Sequence, residues 1–245
     1  MDKEQMSEQV KISIDGEVLA IRLNRADKGN ALTARMGELI IEALATISAS
    51  VKLVRIDAEG ADFCAGRDSP IPTLGPKPSA ETVRQIVALP PLALYDAIKA
   101  VPVPVVAVVR GRAVGAGCAL ACVADLVVCA DNAVFQIPEM ERDIPPTLVM
   151  AALADRVPVK TLAQMVYSRE PLSAAQAREA GLVSNVVPAA GLDAAADELV
   201  KTMLGNGSVT LRAVKQFLSL APGMTPSSAS ALAGHLAATA LSTRF

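Results

Sequence analysis

The stretch at residues 104–122 constrains the fold more than any other part of this 245-residue chain. It opens with a run of Val and Ala, which is typical of a buried strand, and turns at Gly111 and again at 115–117. Small residues from Cys118 onward favour a short helix that lasts until about Asp125. A strand, a glycine turn and a helix start leave backbone N–H groups unpaired, and such groups can bind an oxygen that becomes negatively charged.

A second glycine turn follows another predicted strand. The strand covers 52–57, and the segment at 63–68 reads Phe-Cys-Ala-Gly-Arg-Asp, with Gly66 placed where the backbone must turn sharply. Two strand ends that each offer a backbone N–H could converge on one oxygen atom. That arrangement is the geometry of an oxyanion hole.

Together with Pro138 and Glu139, these turns resemble the crotonase superfamily, the enoyl-CoA hydratases and isomerases. The resemblance runs in the family's order from about Val10 to about Phe217, and its landmarks are 30–32, 63–68, 111–117, 138–139 and 177–183. It implies an α/β fold, a crotonase-like spiral of β-β-α units at 1–190 with a helical C-terminal region at 191–245. In the resembled family such C-terminal helices pack a homotrimer, or a dimer of trimers.

The resemblance also implies an acyl-CoA substrate whose thioester oxygen lies between two backbone N–H groups. Carried over by position, those donors belong to Arg67 and Ala116. Coenzyme A enters as part of the substrate, and no separate cofactor is expected. Removing a proton next to a thioester puts negative charge on that oxygen, and one such donor contributes roughly 3 to 4 kcal/mol to the transition state.

The resembled hydratases carry two glutamates, and here only one of the two positions holds a carboxylate. The second position is Glu139, whereas Ala119 occupies the first. Water addition profits from two carboxylates that hold one water, but a double-bond shift needs only one group that removes and returns a proton. The sequence therefore favours isomerase-type chemistry with Glu139 as the proton-transfer group. The alternatives are an acyl-CoA decarboxylase or hydrolase of the same superfamily, or a non-catalytic acyl-CoA-binding paralogue.

A candidate second carboxylate follows closely. If the segment after Glu139 is extended, alternate residues share a face, so Glu141 would lie beside Glu139. The segment at 144–147 reads Ile-Pro-Pro-Thr where the family usually has a glycine-rich loop, which leaves the pocket floor and the acyl group open.

The resemblance places coenzyme A along two short segments. The candidate contacts to pantetheine are Asn30, Ala31, Ala65, Gly66 and Asp68. Arg25 and Lys28 are candidate contacts to the phosphates, since basic side chains suit a pyrophosphate, although they are equally explained as loop charges. Asp68 is also expected to brace its turn.

Periodicity predicts the remaining elements in outline. Alternating residues around the Asp-Gly pair at 15–16 predict a hairpin. A helical pattern at 82–99 should be kinked or split at Pro90 and Pro91, and the proline-rich segment at 69–78 should form a loop. An Ala-rich helix at 227–241 carries few charges and needs a partner surface.

Composition excludes several classes of function. A net charge of -2, no Trp and 2% aromatic residues give no basis for binding nucleic acid or an acidic membrane. The four cysteines lie in apolar or turn segments and the single histidine is distant, which favours free thiols in a reducing compartment over a metal site. The polar N-terminus has no signal-peptide core, and the apolar run at 113–130 is interrupted by two glycines and Asp125. We therefore expect a cytoplasmic protein.

Overall fold

The computed structural model describes residues 9–68 and 77–243. The strands in this part of the chain are β1 (Val10–Asp15), β2 (Val18–Leu23), β3 (Leu53–Ala58), β4 (Val105–Val109), β5 (Arg112–Val114), β6 (Leu126–Ala130), β7 (Val134–Gln136), β8 (Leu172–Ser173) and β9 (Asn185–Val187). The helices are α1 (Ala34–Ala45), α2 (Ala80–Val83), α3 (Leu89–Ala100), α4 (Ala116–Cys122), α5 (Thr147–Leu153), α6 (Val159–Ser168), α7 (Ala174–Glu179), α8 (Leu192–Leu204), α9 (Ser208–Leu220) and α10 (Pro226–Ser242). The predicted mixed α/β architecture is confirmed.

The larger of the two sheets has six strands in the order β1-β2-β3-β4-β6-β9. The predicted hairpin pairs β1 and β2 in antiparallel fashion, and every later pair in this sheet is parallel. One face contributes to the main hydrophobic core. On the other face Leu192 and Ala196 of α8 pack against the sheet, so apolar side chains cover both sides.

The smaller sheet has the order β5-β7-β8 and contains a strand that the sequence pattern did not reveal. The chain turns at Gly111 (φ 57°), as the sequence predicts, but the short strand β5 that follows and joins the smaller sheet was not predicted. Asp62 accepts hydrogen bonds from the Arg112 backbone N–H (2.9 Å) and guanidinium (2.7 Å), which holds the start of β5. Three residues are too few for periodicity to show a strand.

The predicted interruption near Pro90 and Pro91 takes the form of a π-helical turn at Arg84–Ala88, between α2 and α3. Proline has no backbone N–H, so a carbonyl four residues before it loses its α-helical donor. The Leu89 N–H instead bonds to the Arg84 carbonyl, five residues back. The chain is therefore helical from α2 to α3, but the turn between these two helices is π-helical and not α-helical. The predicted loop at 69–78 lies for the most part outside the described residues.

The C-terminal helices are attached to the sheet by a buried ion pair. Lys215 Nζ on α9 lies 2.8 Å from both carboxylate oxygens of Asp125, and one of these oxygens also accepts the Val105 N–H. The pKa of Lys215 is lowered by burial, and the Asp125 charge opposes that effect. Helix α10 packs against α9 and contains no buried residue.

The cysteines are free and buried, as the sequence predicts. Among the described residues no group of three or more His, Cys, Asp or Glu side chains could hold a metal ion. In the same part of the chain, no helix combines the length and the apolar character needed to cross a bilayer.

Candidate active site

A cavity of about 1100 Å³ lies where the two glycine turns and the Pro138-Glu139 segment meet. Its wall includes Gly66 and Arg67 from the first turn, Gly115 and Ala116 from the second, and the Glu139 side chain. The structure therefore brings together the residues that the sequence places on separate strand ends.

The two turns are joined by direct backbone contact. Cys64 pairs with Ala113 in a parallel bridge, in which the Cys64 N–H donates to the Arg112 carbonyl and the Val114 N–H donates to the Cys64 carbonyl. Gly117, in the first turn of α4, packs so closely on Cys64 that a Cβ there would lie 2.7 Å from the Cys64 Cβ. This contact fixes the first turn relative to the start of α4.

The backbone N–H groups of Arg67 and Ala116 are not used for hydrogen bonds within the described part of the chain. In the parallel bridge between Leu32 and Arg67, the partners of Leu32 are the Gly66 carbonyl and the Asp68 N–H, so the amide of Arg67 points away from the bridge. Ala116 is the first residue of α4, where an N–H has no acceptor within the helix. Within residues 9–68 and 77–243 neither N–H donates to a protein group.

The Glu139 carboxyl group reaches into the cavity from a 3₁₀ turn, Glu139–Arg142. Its Oε1 lies close to Gly115, where a Cβ would come to 2.5 Å from it, so a larger residue at that position would displace the carboxyl. Its Oε2 is buried and has no hydrogen-bond partner in the part of the chain that the structure describes. Burial raises the pKa of Glu139, and its own backbone N–H and the Arg142 charge oppose that shift.

Ala119 contributes no polar group to the cavity. It is fully buried in the core, and its N–H donates to the Gly115 carbonyl at 3.0 Å within α4. Glu139 is half-buried in the cavity wall and its Oε2 is fully buried, whereas Glu141 and Asp143, which also line the cavity, are exposed.

The expectation of an extended segment after Glu139 is wrong. The segment is a 3₁₀ turn closed by Asp143 (φ 55°), whose N–H donates to the Met140 carbonyl. In such a turn residues i and i+2 do not share a face, so the argument that placed Glu141 beside Glu139 no longer holds. Glu141 still lines the cavity. Its role as a second carboxylate stays a prediction.

The side chain of Arg67 connects the first turn to the π-helical turn. Its Nη1 donates to the Val87 carbonyl at 2.9 Å. That carbonyl would have accepted the N–H of residue 91 in an α-helix, and Pro91 has none. Burial lowers the pKa of Arg67, which lies close to Tyr95. The guanidinium thus braces the cavity wall.

The residues predicted to contact coenzyme A fall into two groups. Ala65 and Gly66 line the cavity, while Lys28 is exposed on the turn Ala26–Lys28 and Ala31 is half-buried. The side-chain amide of Asn30 is used within the protein, since its Nδ2 donates to the Glu59 and Asp62 carbonyls at 2.8 Å.

Arg25 and Asp68 form one brace next to the first turn. Arg25 donates to the Ala31 carbonyl (2.7 Å) and to Asp68 Oδ2 (3.2 Å), with 15% of its side chain exposed. Through this contact with Arg25, Asp68 braces its turn, which is the role expected for it from the sequence. Contacts of either residue with coenzyme A stay predictions.

The comparisons with known proteins agree on one family. Residues 13–236 match the family described as enoyl-CoA hydratase/isomerase. The chain is 35% identical over 217 residues to 2,3-dehydroadipyl-CoA hydratase of Escherichia coli (strain K12), covering 87% of this chain and 82% of that protein. The chain belongs to the enoyl-CoA hydratase/isomerase family.

Further members of the enoyl-CoA hydratase/isomerase family support the same assignment. Hydroxycinnamoyl-CoA hydratase-lyase of Pseudomonas fluorescens is 29% identical over 213 residues, covering 84% of this chain and 76% of that protein. A Thermobifida fusca YX protein solved in complex with CoA superposes with a TM-score of 0.88 at 28% identity, covering 99% of this chain and 97% of that one. The chain is therefore an enzyme of this family, with the crotonase fold that the resemblance implied.

Two features of this family member's cavity were not found from its sequence. Tyr95 lines the cavity beside Glu139 and Arg67, although its position suggests only a helix residue. The π-helical turn with the Val87 carbonyl forms another part of the wall. The adjacent prolines were the available signal, since they predict carbonyl groups without helical donors.

Proposed function

We propose that this enzyme acts on an acyl-CoA thioester by stabilising an enolate and transferring a proton with Glu139. The thioester oxygen would accept hydrogen bonds from the Arg67 and Ala116 N–H groups. The Glu139 carboxylate would remove a proton from the carbon next to the thioester and return it elsewhere. The observation that carries the proposal is the position of a half-buried carboxyl group with a buried, unpaired Oε2 in the same cavity as two N–H groups that have no acceptor among the described residues.

Coenzyme A would be the carrier of the acyl group and not a separate cofactor. Support comes from relatives that are named for CoA thioesters, and from the Thermobifida fusca YX protein solved with CoA or with acetoacetyl-CoA. Much of the cavity wall toward α3 and α5 is apolar, including Val87, Pro91, Pro146, Leu148 and Val149. Such a wall suits an acyl chain.

Within this class, we favour isomerase-type proton shuttling over hydration. Ala119 is fully buried and α4 supplies no carboxylate, so Glu139 alone would serve as base and then as acid. Hydration is the second candidate, because the relatives carry the names hydratase, hydratase-lyase and dehydratase. Thioester decarboxylation and hydrolysis at the same oxyanion hole are further candidates.

A panel of acyl-CoA esters incubated with the enzyme in D₂O and analysed by mass spectrometry tests this function. We expect a shifted double bond with little added water, and deuterium at the carbons that lose or gain a proton to the extent that the protonated Glu139 exchanges with D₂O. Loss of CO₂, release of free CoA or rapid water addition would each support another reaction of the family. No change in any ester would contradict the proposed chemistry.

We also propose that copies of this chain assemble through residues 191–245 into a homotrimer or a dimer of trimers. Helix α10 carries no Asp, Glu, Lys or Arg and buries none of its residues within the subunit, and Leu241 is 53% exposed. Large apolar side chains are also exposed on α9, among them Val214 and Leu218. An apolar surface of this kind is typical of an interface.

Light scattering at micromolar concentration measures this assembly directly. We expect a mass of three or six chains of 25.3 kDa. A monodisperse monomer would contradict the assembly without affecting the proposed chemistry of the cavity.

A further inference from the structure

The Arg67 side chain is a cation in the cavity wall that has no anion beside it. It is half-buried, and its Nη1 donates to the Val87 carbonyl at 2.9 Å. In the described part of the chain it forms no salt bridge, and the neighbouring Asp68 pairs with Arg25 instead. The segment that follows, 69–76, contains no Asp or Glu. The charge of Arg67 is therefore not matched by the protein around it.

The guanidinium of Arg67 uses one of its five N–H donors for the Val87 carbonyl. Its Nε and Nη2 have no partner among the described residues, and neither of them is a buried atom. These two nitrogens form one edge of the planar group. That edge is accessible to a ligand while Nη1 holds the cavity wall.

The same edge of two other arginines in this protein binds a carboxylate. Arg22 donates from Nε and Nη2 to the two oxygens of Asp57, at 2.6 and 2.8 Å. Arg84 holds both oxygens of Glu81 in the same way, at 2.7 and 2.8 Å. Two parallel N–H groups match the two oxygens of a carboxylate, which makes the pair strong and directional. The accessible edge of Arg67 fits the same kind of ligand.

The surroundings of Arg67 also differ from those of the paired arginines. Burial lowers the pKa of Arg67, and no carboxylate of the described chain opposes that shift. In contrast, the hydrogen bonds with Asp57 and Glu81 raise the pKa of Arg22 and of Arg84. An arginine keeps its charge in a protein, so an anion that enters the cavity would offset the cost of burying this one.

The anion has to lie close to the thioester, because one residue would contact both. In the proposed function the Arg67 N–H binds the thioester oxygen, and the guanidinium of the same residue reaches the Val87 carbonyl. The two contacts are separated by no more than the length of one side chain, whereas the phosphates of coenzyme A lie beyond the whole pantetheine arm. Val87 and Pro91 belong to the apolar wall that suits an acyl chain. The anion therefore belongs to the acyl group, a few carbon–carbon bonds from the thioester.

We propose that Arg67 determines specificity: the Nε and Nη2 edge of its guanidinium binds a carboxylate at the end of a short acyl group. The inference rests on the proposed function and names its substrate class, the CoA thioesters of short dicarboxylic acids. A thioester that ends in a methyl group leaves the guanidinium edge without an acceptor, so it binds less tightly. Glu139 remains the base.

Calorimetric titration with matched pairs of saturated thioesters tests the role of Arg67. Malonyl-CoA is compared with propionyl-CoA, glutaryl-CoA with pentanoyl-CoA, and adipyl-CoA with hexanoyl-CoA. The two esters of a pair have the same number of acyl carbons and differ in the terminal carboxylate. Chromatography of the recovered esters confirms that each ligand is intact. Because both affinities of a pair are measured on one protein, a general change in the shape of the cavity affects both esters.

The proteins compared are the wild type, Arg67→Gln, Arg67→Lys and the control Arg142→Gln, each checked for folding by its melting temperature. Glutamine keeps an N–H donor for the Val87 carbonyl but has no charge, and lysine keeps the charge without the two-pronged edge. Arg142 also lines the cavity without a salt bridge in the described chain, but it is exposed. Water therefore weakens its attraction for an anion.

For the wild type and Arg142→Gln, we expect the dicarboxylic ester of at least one pair to bind at least about tenfold more tightly than its partner. In Arg67→Gln that preference should fall below about threefold. Arg67→Lys should lose at least about threefold of it, which decides the case if Arg67→Gln does not fold.

Three results would overturn the role of Arg67 and leave the proposed function intact. They are equal binding within every pair by the wild type, a preference that both Arg67 variants retain, and a preference that Arg142→Gln loses. Failure of the wild type to bind any of the esters would overturn both the inference and the proposed function.

Discussion

Glu139→Gln is expected to lower turnover by about a hundredfold or more, the usual consequence of losing an acid–base group. Glutamine keeps the shape of the side chain next to Gly115 but cannot take up a proton. Binding of acyl-CoA should be nearly unchanged, because the Arg67 and Ala116 N–H groups remain. Steady-state rates and calorimetric affinities, measured on the same preparations, separate the two effects.

The matched control for this variant is Glu179→Gln, the same substitution at an exposed position of α7. It should behave as the wild type. If Glu139→Gln kept more than about a tenth of the wild-type rate, well short of the loss expected for an acid–base group, Glu139 would not be that group.

The activity of the enzyme is expected to rise with pH as Glu139 loses its proton. Burial raises the pKa of Glu139, so activity that needs the carboxylate should rise with pH through a value above the ordinary glutamate range. A raised folded-state pKa stabilises the protein at low pH, and that stabilisation is lost as the pH rises through the folded-state value. Glu139→Gln removes the titration, so the variant should be at least as stable as the wild type at neutral pH.

Gly117→Ala is expected to disrupt the cavity through its backbone. A Cβ at this position would overlap the Cys64 carbonyl oxygen and lie 2.7 Å from the Cys64 Cβ. Because backbone cannot yield as a flexible side chain does, the first turn and α4 must move apart. That movement displaces the Arg67 and Ala116 N–H groups, and removing one such donor from an oxyanion costs about a hundredfold or more in rate.

We expect Gly117→Ala also to lower the free energy of unfolding by about 1–3 kcal/mol, as other overpacked cores do. Gly37→Ala is the matched control: Gly37 lies in α1, and a Cβ there would make ordinary contact with Leu94 at 3.8 Å. Alanine favours a helix over glycine by about 0.5–1 kcal/mol, so this control should be as stable as the wild type or more stable. Urea unfolding and turnover measure both variants. Wild-type activity in Gly117→Ala would contradict the proposed role of this contact.

The sequence predicts the fold well where a pattern is long or chemically distinctive. Alternation around residues 15–16 gives the hairpin, and Thr33 caps α1 by accepting the Met36 N–H. Ser173 caps α7 in the same way. These features depend on neighbouring residues alone, which is why a sequence reveals them.

The sequence reveals less where distant segments decide the structure. β5 exists because Asp62 and the 63–68 turn pair with it, and its three residues show no periodicity of their own. The turn after Glu139 looks extended in sequence because nothing marks Asp143 as a residue with positive φ.

The polar groups of the cavity also divide into those that local sequence reveals and those that depend on distant segments. The two glycine turns and Glu139 stand out in sequence, because glycines and a Pro-Glu pair are local signals. Tyr95 does not stand out, because only the packing of segments distant in sequence brings it to the cavity wall. Arg67 stands out for its backbone, while its side chain's contact with the Val87 carbonyl depends on the fold.

The most direct test of single-carboxylate proton transfer is the fate of 3-butenoyl-CoA in D₂O, followed by mass spectrometry and proton NMR. The wild type and Glu179→Gln should convert it to crotonyl-CoA, with deuterium at the terminal carbon to the extent that the protonated Glu139 exchanges with D₂O, and with less 3-hydroxybutyryl-CoA than crotonyl-CoA. Glu139→Gln should lower both the conversion and the deuterium incorporation by about a hundredfold or more. Equal deuterium incorporation by Glu139→Gln, or 3-hydroxybutyryl-CoA as the main first product of the wild type, would contradict the account.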